Sequence, residues 1–155
     1  YDLNLSKNDF LSIKKLININ YGDLIKIGND IFRVPCEISE YVLLSNCVRI
    51  MSPGTKICSL KGNNYLPSHE LALSIEMEKN SFPVTELDYE NAIKYLKRGN
   101  LSINMSMEGW FIVTWMGVNL GFAKNVGSRV NNYWPVEWRI RMQDPPTGAK
   151  PVSWV

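Results

Sequence analysis

The chain holds a single histidine, His69, and three cysteines, Cys36, Cys47 and Cys58. No nucleophile stands beside a recognisable base and a third orienting group, so an enzyme built on Cys36, Ser68 and His69 is the least favoured reading. Three cysteines cannot all pair within one chain, and they lack the spacing of a zinc site; buried thiols in a reducing compartment are the expectation. Neither GxGxxG nor GxxxxGKS occurs, so no cofactor is expected to bind here. No apolar run approaches the roughly 18 to 20 residues needed to cross a bilayer, and no charged-then-apolar leader opens the chain. A cytoplasmic protein with no membrane partner is therefore expected. Large charge imbalance is absent too: 17 basic residues against 15 acidic give a net charge of +2 and no whole-chain attraction for a polyanion.

What is present is the balance of one ordinary globular domain: 155 residues, 45% hydrophobic and 21% charged. Phe10, Ile13, Leu16 and Ile17 predict an amphipathic helix over 8–19. Short β-prone runs at 23–27, 31–34, 41–45, 48–51 and 55–60, separated by turn residues, predict a small sheet. A helix over 67–77, capped by Ser68, closes the first half. After a connector at 80–83, Thr85 is placed to cap the clearest helix, with Tyr89, Ala92, Ile93 and Leu96 on one face and a stop at Gly99. Residues 110–115 and 118–124 read as a hairpin through Met116-Gly117, and 134–142 as a further strand of period two. The order predicts an α+β fold of two small sub-domains, with short mixed or antiparallel sheets packed on a few helices. Residues 1–80 form an α+β segment, 81–143 a second unit and 144–155 an extended tail.

Charge is uneven along the chain. Residues 1–80 carry nine basic and nine acidic side chains; residues 81–155 carry eight and six. Within the basic half, Lys124, Arg129, Arg139 and Arg141 oppose one acid, Glu137, and are interleaved with Tyr133, Trp134 and Trp138. Basic groups suit phosphates and aromatic faces suit unpaired bases. A solvated rim over a tryptophan core satisfies the same pattern, leaving a structural or protein-docking module as the alternative. Lys94, Lys97 and Arg98 form a second cluster, but at a helix end they also complement the helix dipole.

Residues 109–139, GWFIVTWMGVNLGFAKNVGSRVNNYWPVEWR, resemble the RNA-binding PUA-like domain at the C-terminus of RsmF-type, Sun-family rRNA cytosine-C5 methyltransferases. ENAIKYLKRGNL at 90–101 and YLPSHELAL at 65–73 are similar to the segments preceding that signature. The resemblance implies a PUA-like β-barrel in the second half and a structured RNA partner, namely rRNA. It also implies contacts through Lys124, Arg129, Asn132, Tyr133, Trp134, Arg139 and Arg141. Asn131 and Val136 stand where related sequences tend to have lysines, implying two fewer phosphate contacts. Catalysis, with S-adenosylmethionine, would belong to a methyltransferase domain elsewhere in a longer parent chain, as the initial Tyr1 also suggests; no catalytic residue is expected here.

Overall fold

A computed structural model of the chain describes residues 5–18, 21–62, 64–101, 103 and 107–142. The expected tail at 144–155 lies outside them. Helix α1 (Lys7–Lys14) starts where the Ser6 hydroxyl accepts the Asp9 N–H, and it turns Ile13 fully inward. Strands β1 (Asp23–Ile27) and β2 (Asp30–Val34) follow as a hairpin, then helix α2 (Ile38–Cys47), strands β3 (Thr55–Lys61) and β4 (Asn64–Pro67), and helix α3 (His69–Leu73). The second half runs β5 (Val84–Glu86), α4 (Tyr89–Leu96), β6 (Gly109–Trp115), β7 (Val118–Asn125) and β8 (Val130–Asn132). The sheets are ordered β1-β2-β3-β4, all antiparallel, and β5-β6-β7-β8, in which only the β5 to β6 pairing is parallel. The α+β expectation, with small antiparallel and mixed sheets, is met.

Both faces of the second sheet are covered, because side chains alternate along a strand. Ile112 and Phe122 join Ile13, Leu24, Ile31, Ile57 and Leu71 in a core shared with the first sheet. Phe111, Val113 and Ala123 point the other way, onto Ala92 and Tyr95 of α4. Each fully buried Val, Leu, Ile or Phe among them contributes roughly 1.5–3 kcal/mol. The contact is close because Gly121 of β7 has no side chain: a Cβ there would lie 2.4 Å from Tyr95 Oη and 2.8 Å from His69 Nδ1. Tyr95 Oη instead donates to the Phe122 carbonyl at 3.0 Å. At the hairpin tip, Met116 (φ 51°) and Gly117 (φ 73°) are both left-handed, the requirement of a two-residue turn between twisted strands.

Several expectations are overturned by local hydrogen bonding. Residues 41–45 lie in α2, not in a strand. A short apolar run fits either period, and the helix is selected at its start, where Glu40 accepts the Glu37 N–H at 3.0 Å and Asp23 accepts the Ile38 N–H at 3.0 Å. Residues 48–51 are irregular. The helix expected over 67–77 contracts to α3: Ser68 does cap it, but Pro67 ends β4, and the Ser74 N–H turns back to Leu71. Thr85 sits in β5, and Asp88 caps α4 instead, accepting the Asn91 N–H at 2.8 Å. The expected strand at 134–142 is an irregular segment. Pro135 has no N–H to donate, and the Trp138 and Arg139 amides close turns onto Pro135 and Val136. Of the cysteines only Cys58 is buried, its thiol pushed up to about 12 by burial; Cys36 is half-buried and Cys47 exposed.

Gly121→Ala is expected to lower stability by about 3 kcal/mol through overpacking and backbone strain. Adding Tyr95→Phe, which removes the hydroxyl in the way, should recover part of it. Urea unfolding of the two variants checks this; wild-type stability for Gly121→Ala would contradict the packing described.

Candidate nucleic-acid interface

The basic half presents its groups from four places: the end of α4, Lys124 of β7, the β7 to β8 turn, and the segment after β8. The last four carbonyls within α4 all accept hydrogen bonds. Ile93 accepts Lys97 N–H, Lys94 accepts Gly99 N–H at 2.7 Å, and Tyr95 accepts Arg98 N–H at 2.9 Å. Leu96 accepts the Ile140 N–H at 3.0 Å. Asn132 completes the join, its amide Nδ2 donating to Tyr95 and Gly99 carbonyls at 2.9 and 3.3 Å while its Oδ1 accepts the Trp134 N–H at 2.9 Å. Between residues 98–101 and 103 on one side and residues 125–133 on the other lies a groove of about 1010 Å³. Arg98, Asn100, Arg129, Asn131 and Tyr133 line it, and none of its described lining residues is acidic.

The residues singled out from sequence occupy four settings, with Tyr133 shared by two of them. Lys124 and Tyr133 meet at one aromatic side chain: Lys124 Nζ sits 5.3 Å from the Trp110 ring centroid, and the Tyr133 ring lies 4.4 Å from the same ring. Arg129, Asn132 and Tyr133 line the groove, Arg129 being exposed on the β7 to β8 turn. Arg139 and Arg141 are exposed on the irregular segment and are not among the groove's lining residues. Trp134 packs inward, with ring centroids 4.9 Å from His69 and 5.7 Å from Tyr95. Asn132 and Trp134 thus fasten the segment after β8 to α3 and α4.

Two members of this surface, Trp110 and Arg98, escape sequence reasoning. Continuing the hairpin register from Trp115 opposite Val118 would put Trp110 opposite Ala123, but an irregularity at Val113/Thr114 shifts it onto Lys124. Arg98 belongs to a helix-end cluster that the dipole already accounts for; only its backbone, with φ 60°, sets it apart.

His69 and Cys36 pack in different clusters. The His69 ring packs nearly at right angles to Trp134 and to Trp138, the latter 5.2 Å away, and neither ring nitrogen has a hydrogen-bond partner. Burial holds its pKa below the ordinary 6.5, so the neutral form is favoured. Cys36 packs beside Ile25, Val34 and Tyr41. Among the described residues no group of His, Cys, Asp and Glu side chains is placed to hold a metal ion. None of the described helices is long and apolar enough to cross a membrane.

Residues 82–140 match the family model described as the methyltransferase RsmF PUA domain. No curated protein matches the chain. The second half of the chain carries an RsmF-type PUA-like domain, and the groove, the Trp110 cluster and most of the α4 joint fall inside the matched residues.

Because the folded state disfavours the His69 imidazolium, the unfolded chain binds more protons at pH values between the folded pKa and 6.5. Stability should therefore fall as the pH drops through 6.5 and level off below the folded value. His69→Phe should flatten this part of the profile. Melting temperatures measured across that range test it, and an unchanged pH dependence in the variant would count against the half-buried neutral imidazole.

Proposed function

We propose that the PUA-like domain of residues 82–140 is an RNA-binding accessory unit. It positions rRNA for the S-adenosylmethionine-dependent cytosine-C5 methyltransferase domain of a longer parent chain. The observation that carries this reading is the coincidence of the family match with a groove whose described lining includes two arginines and no acid. Lys124 and Arg129 supply phosphate contacts, and Tyr133, 36% exposed beside Trp110, supplies a stacking face. Arg139 and Arg141 extend the cationic surface along the next segment, while Asn132 and Trp134 hold that surface from behind. Methyl transfer is assigned to the parent's catalytic domain, and no residue here is given a catalytic role.

A second reading, a docking module that contacts protein and not RNA, is favoured by one observation. Helix α2 and the loop after it expose Leu43, Leu44, Val48 and Met51 at 51–83% of their full area. Apolar groups gathered in this way mark interaction surfaces. The two readings separate on salt dependence. Reversing Lys124, Arg129 and Arg139 to Glu together should weaken binding to rRNA fragments and lower the log–log salt slope by about 2, at roughly 0.7 per lost phosphate contact. Unchanged affinity and slope in a folded triple variant would sink the RNA reading and leave the docking one.

A further inference from the structure

We propose that Arg98 is a phosphate-binding residue of the groove and that the groove takes an unpaired RNA strand, not a duplex. This rests on the RNA-binding reading above and sharpens it.

Arg98 and Met116 are the two non-glycine residues with positive φ among those described. Met116 is accounted for by its hairpin turn with Gly117. Arg98 is the left-handed residue that ends α4, its N–H bonded to the Tyr95 carbonyl and the Gly99 N–H to the Lys94 carbonyl; glycine takes that φ of 60° without strain, yet an arginine stands there. The strained position falls on an exposed arginine that lines the groove from the α4 side, while Arg129 lines it from the β7 to β8 turn. Neither arginine belongs to an ion pair among the described residues.

An anion at the C-terminal end of a helix ordinarily meets repulsion from unpaired carbonyls. Here the carbonyls of Ile93, Lys94, Tyr95 and Leu96 all accept hydrogen bonds, two of them from Asn132 and Ile140 across the fold. The Asn132 and Ile140 contacts therefore do more than fasten the segment after β8. They lessen the repulsion that a phosphate beside Arg98 would meet.

The shape of the site selects the form of the RNA. Duplex RNA is read across its broad minor groove by elements that reach into it, whereas unpaired strands are received in concave sites where bases stack and offer their edges. A groove of about 1010 Å³ is concave and of the size that holds a small ligand, which corresponds to a few nucleotides of one strand. Asn100 and Asn131 offer amide donors and acceptors to base edges, and Tyr133 offers a ring.

The test uses the full chain, a short labelled RNA without secondary structure, and a blunt RNA duplex of equal length, with anisotropy read over a range of salt. Arg98→Gly suits the backbone, so its melting temperature should equal or exceed the wild-type value. Its affinity for the single strand should fall about fivefold near 0.1 M salt, with the salt slope smaller by about 0.7. Arg98→Lys should keep the slope. If the wild-type chain binds the single strand and Arg98→Gly binds equally well, the role of Arg98 is overturned while the RNA-binding reading stands. Tighter binding of the duplex overturns the choice of strand. Failure of the wild-type chain to bind either RNA overturns the RNA-binding reading itself.

Discussion

The missing side chain at Gly121 is the constraint on which the arrangement of the second half depends. A Cβ there would collide with Tyr95 of α4 and His69 of α3, so its absence is what lets both helices press on β7. Once Tyr95 is seated, its hydroxyl reaches the Phe122 carbonyl and its own carbonyl accepts the Asn132 amide. Asn132 then sets the Trp134 backbone, and Trp134 inserts between Tyr95 and His69. Through this chain of contacts the end of α4 and the β7 to β8 turn become the two sides of one groove.

The same contacts separate supporting residues from presenting ones. Aromatic residues after β8 were expected to face a ligand, yet Trp134 is spent on packing, while Trp110, from a different strand, stands beside the exposed Tyr133 and the Lys124 ammonium. Cations held against aromatic faces are partly ordered before any partner arrives, which lowers the cost of engaging one. Helix α2 presents a different chemistry, with exposed leucines and little charge, and nothing there resembles the amide-lined groove. The first half exposes apolar groups on α2 and the second exposes cationic ones at the groove.

Elements whose sequence signal and hydrogen bonding agree were legible. Helix α4 has its apolar face at i, i+3, i+4 and i+7, and the β6 to β7 hairpin has two apolar runs about a Met-Gly turn; both form as expected. Where a short apolar run is compatible with either period, neighbours decide: Asp23 and Glu40 satisfy the first amides of α2 and make 41–45 helical. The alternation of Trp138, Ile140 and Met142 gave a false strand because their exposure, 56%, 36% and 80%, is not that of a buried sheet face. At the interface, basic and aromatic residue types were visible in sequence, but which of them share a surface depends on a one-residue register shift between β6 and β7 and on the left-handed backbone of Arg98, neither of which composition or spacing encodes.

On the proposed reading, RNA meets the second half at the groove between residues 98–101 and 103 and residues 125–133. The most direct measurement is an NMR titration of the labelled chain with unstructured RNA, following backbone amides. The account predicts that the largest shifts fall on Arg98, Asn100, Arg129 and Tyr133, with α2 unperturbed. Shifts concentrated on α2 and on residues 48–51, with the groove silent, would contradict it.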